Sequence, residues 1–373
     1  MHLETTRFSF ARILAVLFSL LILCAPALAA EYFVSPAGND ANPGTAAAHF
    51  RSIARSVITL RPGDTLNIGP GTYRESVIVA LRGAADARVT IRGAGLPVIE
   101  ATGDFCLSVL DSSYLTIEGI KFTSAARAAV HVAQSHHVTI EGCLITDNAL
   151  YGIETTLSDY VSVSKSEITN SKSDALLFSS TDHPGVLDCT IRDNAASGIR
   201  ISGAAAEGGD GVVSGANLAR NKIISNSSLS GAAISLDGVE KSTIEKNVCD
   251  KNLSGGIVSF KEAAAKAGSG NFFQGNVVTF ETGVGLYGIK LADGSFDSRL
   301  EQNTIVIDNG PAVYVDKASA KKLAASFNFY VTLGAPVSFS YKGLILDFAA
   351  WKDATGQDAD SHVTAASSTP GGK

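Results

Sequence analysis

Three pairs of residues able to carry charge or a proton recur at a fixed step in this chain. His136 and His137 are followed 23 residues later by Asp159 and Tyr160, and after the same step by Asp182 and His183. Carboxylates stacked in this way could hold a hard cation such as calcium, which takes several oxygens, and Asp159 and Asp182 would be its ligands. An imidazole beside them could move a proton, with His136, Tyr160 and His183 meeting a substrate. Polar corner residues that simply face water have the same composition.

A second set sits on an expected strand. If Val130, Ile153 and Ile199 point inward, the next residue points out, which stacks His131, Glu154, Leu177 and Arg200, then Ser235, Val258 and Lys290. An outward His, Glu and Arg on one parallel sheet could form a face for an acidic sugar. Arg200 would neutralise the carboxylate so that the neighbouring carbon acid ionises more readily. Glu154 and His131 would line the same groove as catalytic partners, and Lys290 would bind substrate further along. A solvated face with cross-strand charge pairs is the alternative. The ladder of Asp147, Asn170 and Asp193, with Asn148 and Asn194, is better explained by turn chemistry, in which stacked side chains satisfy backbone groups at a bend.

The element that must position these residues follows from the period. Phe122, Ile145, Ile168 and Ile191 are 23 residues apart, as are Val130, Ile153, Leu176 and Ile199, and small residues keep the step at Ala129, Gly152, Ala175 and Gly198. Each unit contains short alternating runs, such as VTIEGCLIT and GIRIS, broken by polar corners. The sequence therefore predicts an all-β solenoid of about ten coils, each stacked on the next at ~4.8 Å. Longer steps mark insertions at 203–215, carrying Glu207 and Asp210, and at 261–271, on one face of the solenoid. FRSIARSVITL (50–60) has helical spacing and reads as an N-terminal cap helix, while FAAWKDATG (348–356) closes the other end. Cys143 and Cys189 fall two coils apart, beyond disulfide reach, so the cysteines are expected as buried free thiols.

Residues 1–30 place Arg7 and Arg12 before an apolar run (Ile13 to Cys24) and Ala27-Leu28-Ala29, the order of a cleaved secretory signal. No later run is long and apolar enough to span a bilayer. The net charge of −6 becomes −7 without that signal, which argues against a nucleic-acid partner. An anionic polysaccharide would need a cation or a local basic groove. GxSxG, HExxH, P-loop and EF-hand patterns are missing from contexts that would support them.

EYFVSPAGNDANPGT (31–45), HFRSIARSV, RPGDTLNIGPGTYRESVIV and VTIRGAG resemble the opening of secreted right-handed parallel β-helix proteins of the pectate-lyase-like superfamily, and YKGLILDFAAWKDATGQDADS (341–361) resembles a closing segment of that group. The resemblance implies a right-handed coil over 31–362, and the composition of 363–373 reads as a disordered tail. It also implies a groove along one outer sheet where acidic residues hold calcium and a Lys or Arg takes the proton beside a uronate carboxylate. GIRIS (198–202) looks like the GIRIG-type strand of alginate-lyase-like members, but the lysine expected two coils on is replaced by Ser235 and Asp237. Asp182-His183-Pro184 is only superficially similar to an epimerase signature. The expectation is an exported monomer, secreted or periplasmic, acting as a calcium-dependent lyase on a uronate-containing polysaccharide. A non-catalytic carbohydrate-binding scaffold and a uronan C5-epimerase are the alternatives.

Overall fold

The computed structural model describes residues 29–204, 208–228 and 231–365. The expected signal segment lies almost wholly outside the described residues, as does Glu207. Each coil contributes a short strand to each of three parallel sheets. The first sheet runs from Glu31–Val34 to Ala324–Ser326, and the third from Thr72–Arg74 to His362–Ala365. The second begins at Val77–Val79 and ends at Ser338–Tyr341, closed by the antiparallel Leu344–Leu346. Each sheet holds twelve strands, so the right-handed parallel solenoid completes about 11 turns, slightly more than the ten that the period predicts.

The apolar columns pair in the expected register. Val130, Ile153, Leu176 and Ile199 are consecutive partners on the second sheet, and the series continues through Ile234, Ile257, Ile289 and Val313 despite the insertions. Phe122, Ile145, Ile168, Ile191 and Ile223 do the same on the third. All are fully buried, each contributing roughly 1.5–3 kcal/mol of apolar burial. Cys249 fills the next place in that third-sheet column. Among the described residues the four cysteines are free and buried, and burial pushes the Cys143 and Cys189 thiols up to about 11. They behave as small apolar side chains.

Both ends are covered. The N-terminal helix, α1 (Ile53–Val57), is much shorter than 50–60. Phe50 pairs in extended backbone with Val34 instead, and Ser52 caps the helix by accepting from the Arg55 N–H. At the C-terminus, α2 (Phe348–Thr355) starts at Asp347 and stops at Gly356 in the left-handed region, φ 68°. Its Trp351 packs against Phe339 with ring centroids 5.0 Å apart. The final strand carries the solenoid to Ala365, past the expected boundary at 362, because Phe329–Thr332 pairs with His362–Ala365.

Candidate functional site

On the second sheet, strands enter with two successive inward residues, as in Gly152-Ile153, Ala175-Leu176 and Gly198-Ile199. A Cβ at Gly152 would lie 2.5 Å from the Ile168 side chain in the core. This doubled inward step turns out the residues on either side of it. One outward column is the expected one, with Glu154, Leu177, Arg200 and Ser235 in register. The other, just before the inward pair, is Tyr151, Asp174 and Ser197, again 23 residues apart.

Two adjoining clefts of about 350 and 370 Å³ open on this face, and Arg200 lines both. The first brings Tyr151, Asp174 and Leu177 around Arg200. The second adds Glu262, Tyr287, Lys290 and Asp293. Asp174 is only 6% exposed. Burial raises its carboxyl above the usual range, although the Ser197 N–H, 2.8 Å from Oδ1, and the Arg200 charge pull the other way. Burial also raises Tyr151, with Asp174 and Glu154 adding to the effect, so its phenol keeps its proton at neutral pH. Tyr287, pushed by burial up to about 12, is accommodated because position 255 is glycine, where any Cβ would meet the Tyr287 ring at 2.4 Å. Lys290 Nζ sits 5.5 Å from the Tyr287 centroid and 5.2 Å from that of Tyr314.

The two insertions form one wall of this groove. The Ala265 N–H donates to the Gly211 carbonyl at 2.9 Å, and Ala204 bridges to Ala264. Asp237, fully buried, anchors the wall by accepting from the backbone N–H groups of Glu262 (2.8 Å), Ala263 (2.9 Å) and Ala264 (3.3 Å). Glu262 is thereby held with its carboxylate 3.5 Å from the Arg200 guanidinium.

The expected catalytic trio is thus on one face, but only Arg200 borders the clefts. Both Glu154 oxygens are taken by Arg127, at 2.8 and 2.6 Å, and its side chain is 3% exposed. His131 is its strand neighbour. The His131 ring stacks on Phe105 at 4.6 Å and Nδ1 lies 3.2 Å from Ser108 Oγ. Burial lowers its pKa, with Arg127 adding to the effect and Glu154 opposing it, so the ring is neutral at pH 7. Leu177 separates this pair from Arg200. Glu154 and His131 line neither cleft, and the titratable groups that share the first cleft with Arg200 are Tyr151 and Asp174.

His136, Tyr160, His183, Asp159 and Asp182 occupy the corner between the second and first sheets, in the expected register: His136 bridges to Asp159 and Asp159 to Asp182. Here Tyr114, His137, Tyr160 and His183 form a ladder of stacked rings with centroids 4.6, 4.8 and 4.3 Å apart. All four have φ between 50° and 57°, which turns each side chain out at the same point of each coil. The carboxylates are committed elsewhere. Asp159 Oδ1 lies 2.8 Å from His183 Nδ1, and Asp182 Oδ1 accepts from the Ser214 N–H (2.7 Å) and hydroxyl (3.1 Å). Calcium takes six to eight oxygens. Among the described residues, no group of three or more His, Cys, Asp or Glu converges as a metal site, so the expected assignment of Asp159 and Asp182 to calcium does not fit this geometry.

A family profile described as a right-handed beta helix region matches residues 88–213, and one described as periplasmic copper-binding protein (NosD) matches 207–327. No curated protein sequence matches the chain. Similar solved structures include an alginate lyase from Paenibacillus sp. str. FPU-7, 17% identical over 74% of this chain and 95% of that one, with a TM-score of 0.56. The pectate lyase Pel9A is 14% identical over 91% and 79%, with a TM-score of 0.54. PfbA, a surface adhesin of Streptococcus pneumoniae, is 13% identical over 79% and 90%, with a TM-score of 0.58. These likenesses establish the right-handed parallel β-helix. The copper described for the second profile finds no ligand set in the segment it matches. Residues 207–327 contain no histidine or methionine, and their one cysteine, Cys249, is a buried thiol pushed up to about 12. Copper sites draw on imidazole, thiolate and thioether donors.

Proposed function

We propose that this right-handed parallel β-helix is an exported, secreted or periplasmic protein that binds a uronate-containing polysaccharide in the second-sheet groove and cleaves it by β-elimination. One observation carries the reading: Arg200 lies at the junction of two clefts, beside a buried carboxyl and a protonated phenol. Arg200 would pair with the uronate carboxylate and stabilise the negative charge that builds there as the adjacent C–H ionises. Asp174, made more basic than an ordinary aspartate by burial, would take that proton in its carboxylate form. Tyr151 would donate its proton to the departing glycosidic oxygen as the carbon–oxygen bond breaks and a carbon–carbon double bond forms. Lys290 supplies a second cation on the Arg200 column, three strands along. These cations are the local basic positions that an acidic chain needs to hold an anionic polymer.

The experiment is a time course of absorbance at the unsaturated-uronate band with pectate, alginate and chondroitin, each with and without chelator. The reading requires a chelator-insensitive rise on one polymer. A flat trace on all three sinks elimination for those polymers. The second reading, a binding scaffold without catalysis, rests on the Glu262–Arg200 pair, which partly satisfies the guanidinium before any ligand arrives. It requires retarded migration in a polymer-containing gel with no cleavage. An epimerase would return a proton to the same carbon, and solvent deuterium incorporation without chain shortening would identify it.

A further inference from the structure

The corner ladder holds two imidazoles outside the groove that no chemistry above uses. His136 Nδ1 and His137 Nδ1 lie 3.1 Å apart, with the ring planes at 86°. The geometry points to a divalent transition-metal site at this pair, taking a borderline ion that favours imidazole nitrogen, such as copper(II), nickel(II) or zinc(II).

Three observations carry it. The first is the spacing: with metal–nitrogen bonds of about 2.0–2.1 Å, nitrogens this far apart subtend roughly 100° at the ion, between the square-planar and tetrahedral angles. The second is preorganisation. His137 is clamped between Tyr114 and Tyr160, at 4.6 and 4.8 Å, and its carbonyl accepts from Arg88 at 2.9 Å. His136 is set edge-on against Tyr114, with centroids 5.5 Å apart and planes at 88°. These ring contacts hold both imidazoles in place. The third is accessibility, since His136 is exposed at the corner and His137 is partly exposed.

The balance is simple. One Nδ1 carries a proton directed at the other, and as the ion enters that ring gives up its Nδ1 proton and takes one at Nε2, so both rings ligate through Nδ1 with no net change in protonation. The protein supplies two nitrogens and water completes the shell, because no third His, Cys, Asp or Glu joins them among the described residues. The site is separate from the segment matched by the copper-binding profile.

The test titrates untagged protein with copper(II) alone, following heat and electron paramagnetic resonance. The expected result is one ion per chain coordinated by two nitrogens. His136→Ala and His137→Ala should each weaken binding about tenfold or more, and His183→Gln should leave it unchanged. His136→Gln, which preserves side-chain length at an exposed corner, guards against a folding artefact and should match His136→Ala. Absence of stoichiometric copper in the wild type, or wild-type affinity in either His136 variant or in His137→Ala, overturns the assignment.

Discussion

Two stacked columns of polar residues run along this solenoid, and they behave in opposite ways. At the corner between the first and third sheets, Asn221, Asn247, Asn276, Asn303 and Asn328 repeat one residue type. Each side-chain amide donates to the next Oδ1 at 2.9–3.1 Å, and the series ends on Asp358. Every member is buried, and each amide also donates to a backbone carbonyl of a neighbouring coil, as Asn276 does to Ile244. On the second sheet the column before the inward pair changes at each coil, from Tyr151 to Asp174 to Ser197, and its first two members line an open cleft. Uniform stacking satisfies polar groups completely and leaves nothing for a ligand. Heterogeneous stacking leaves a carboxyl that burial has made more basic and a cation beside it, which are the groups that chemistry requires.

Breaking the uniform column should have the largest effect on stability. Asn276→Ala removes the acceptor of the Asn247 N–H and Nδ2 groups and the donor to Asn303 Oδ1 and the Ile244 carbonyl. With buried groups left unpaired at ~1–3 kcal/mol each, the loss should be about 3 kcal/mol or more, read as a lower urea midpoint. Because coils lean on their neighbours, hydrogen exchange should quicken first around 247–303.

The heterogeneous column should respond in the reverse sense. The folded-state pKa of Asp174 is raised by burial above its unfolded value. The proton therefore binds more tightly in the native state, and the stability this gives is fully present below about pH 4 and lost as pH rises through the folded pKa. Asp174→Asn cannot ionise and can still accept from the Ser197 N–H. It should match the wild type in acid denaturation below pH 4, exceed it in thermal stability at pH 7, and be inactive. Equal stability of the two at pH 7 would remove the distinction between the columns.

The smallest effect concerns the wall. Glu262→Gln leaves the backbone anchoring by Asp237 intact but frees Arg200 from a largely exposed partner. Exposed pairs are worth at most about 1 kcal/mol, so KM for an acidic polymer should fall by no more than about fivefold, with kcat nearly unchanged.

The fold was legible because a solenoid writes its core into the period. Val130, Ile153, Leu176 and Ile199 could be stacked from numbering alone, and so could His136, Asp159 and Asp182. The aromatic ladder was three-quarters visible, and one further step back from His137 would have added Tyr114. Tyr151, Asp174 and Ser197 kept the same step but share no side-chain chemistry, and they sit before a doubled inward pair that simple alternation does not anticipate. The 35- and 32-residue steps marked the insertions. The period carries no information on how an insertion folds back, so the pairing of Glu262 with Arg200 could come only from three dimensions. Likewise, the Arg127 pairing that occupies Glu154 crosses from the mouth of one coil to the strand of the next.

The central claim is that the chemistry is centred on Arg200 and that the corner ladder takes no part in it. The most direct measurement is one absorbance time course of wild type, Arg200→Ala and His136→Ala on the polymer that the wild type cleaves, in chelator. The account predicts equal rates for wild type and His136→Ala and a loss of roughly 10²–10³-fold for Arg200→Ala. An Arg200→Ala protein that keeps the wild-type rate, or a His136→Ala protein that loses it, would contradict the account.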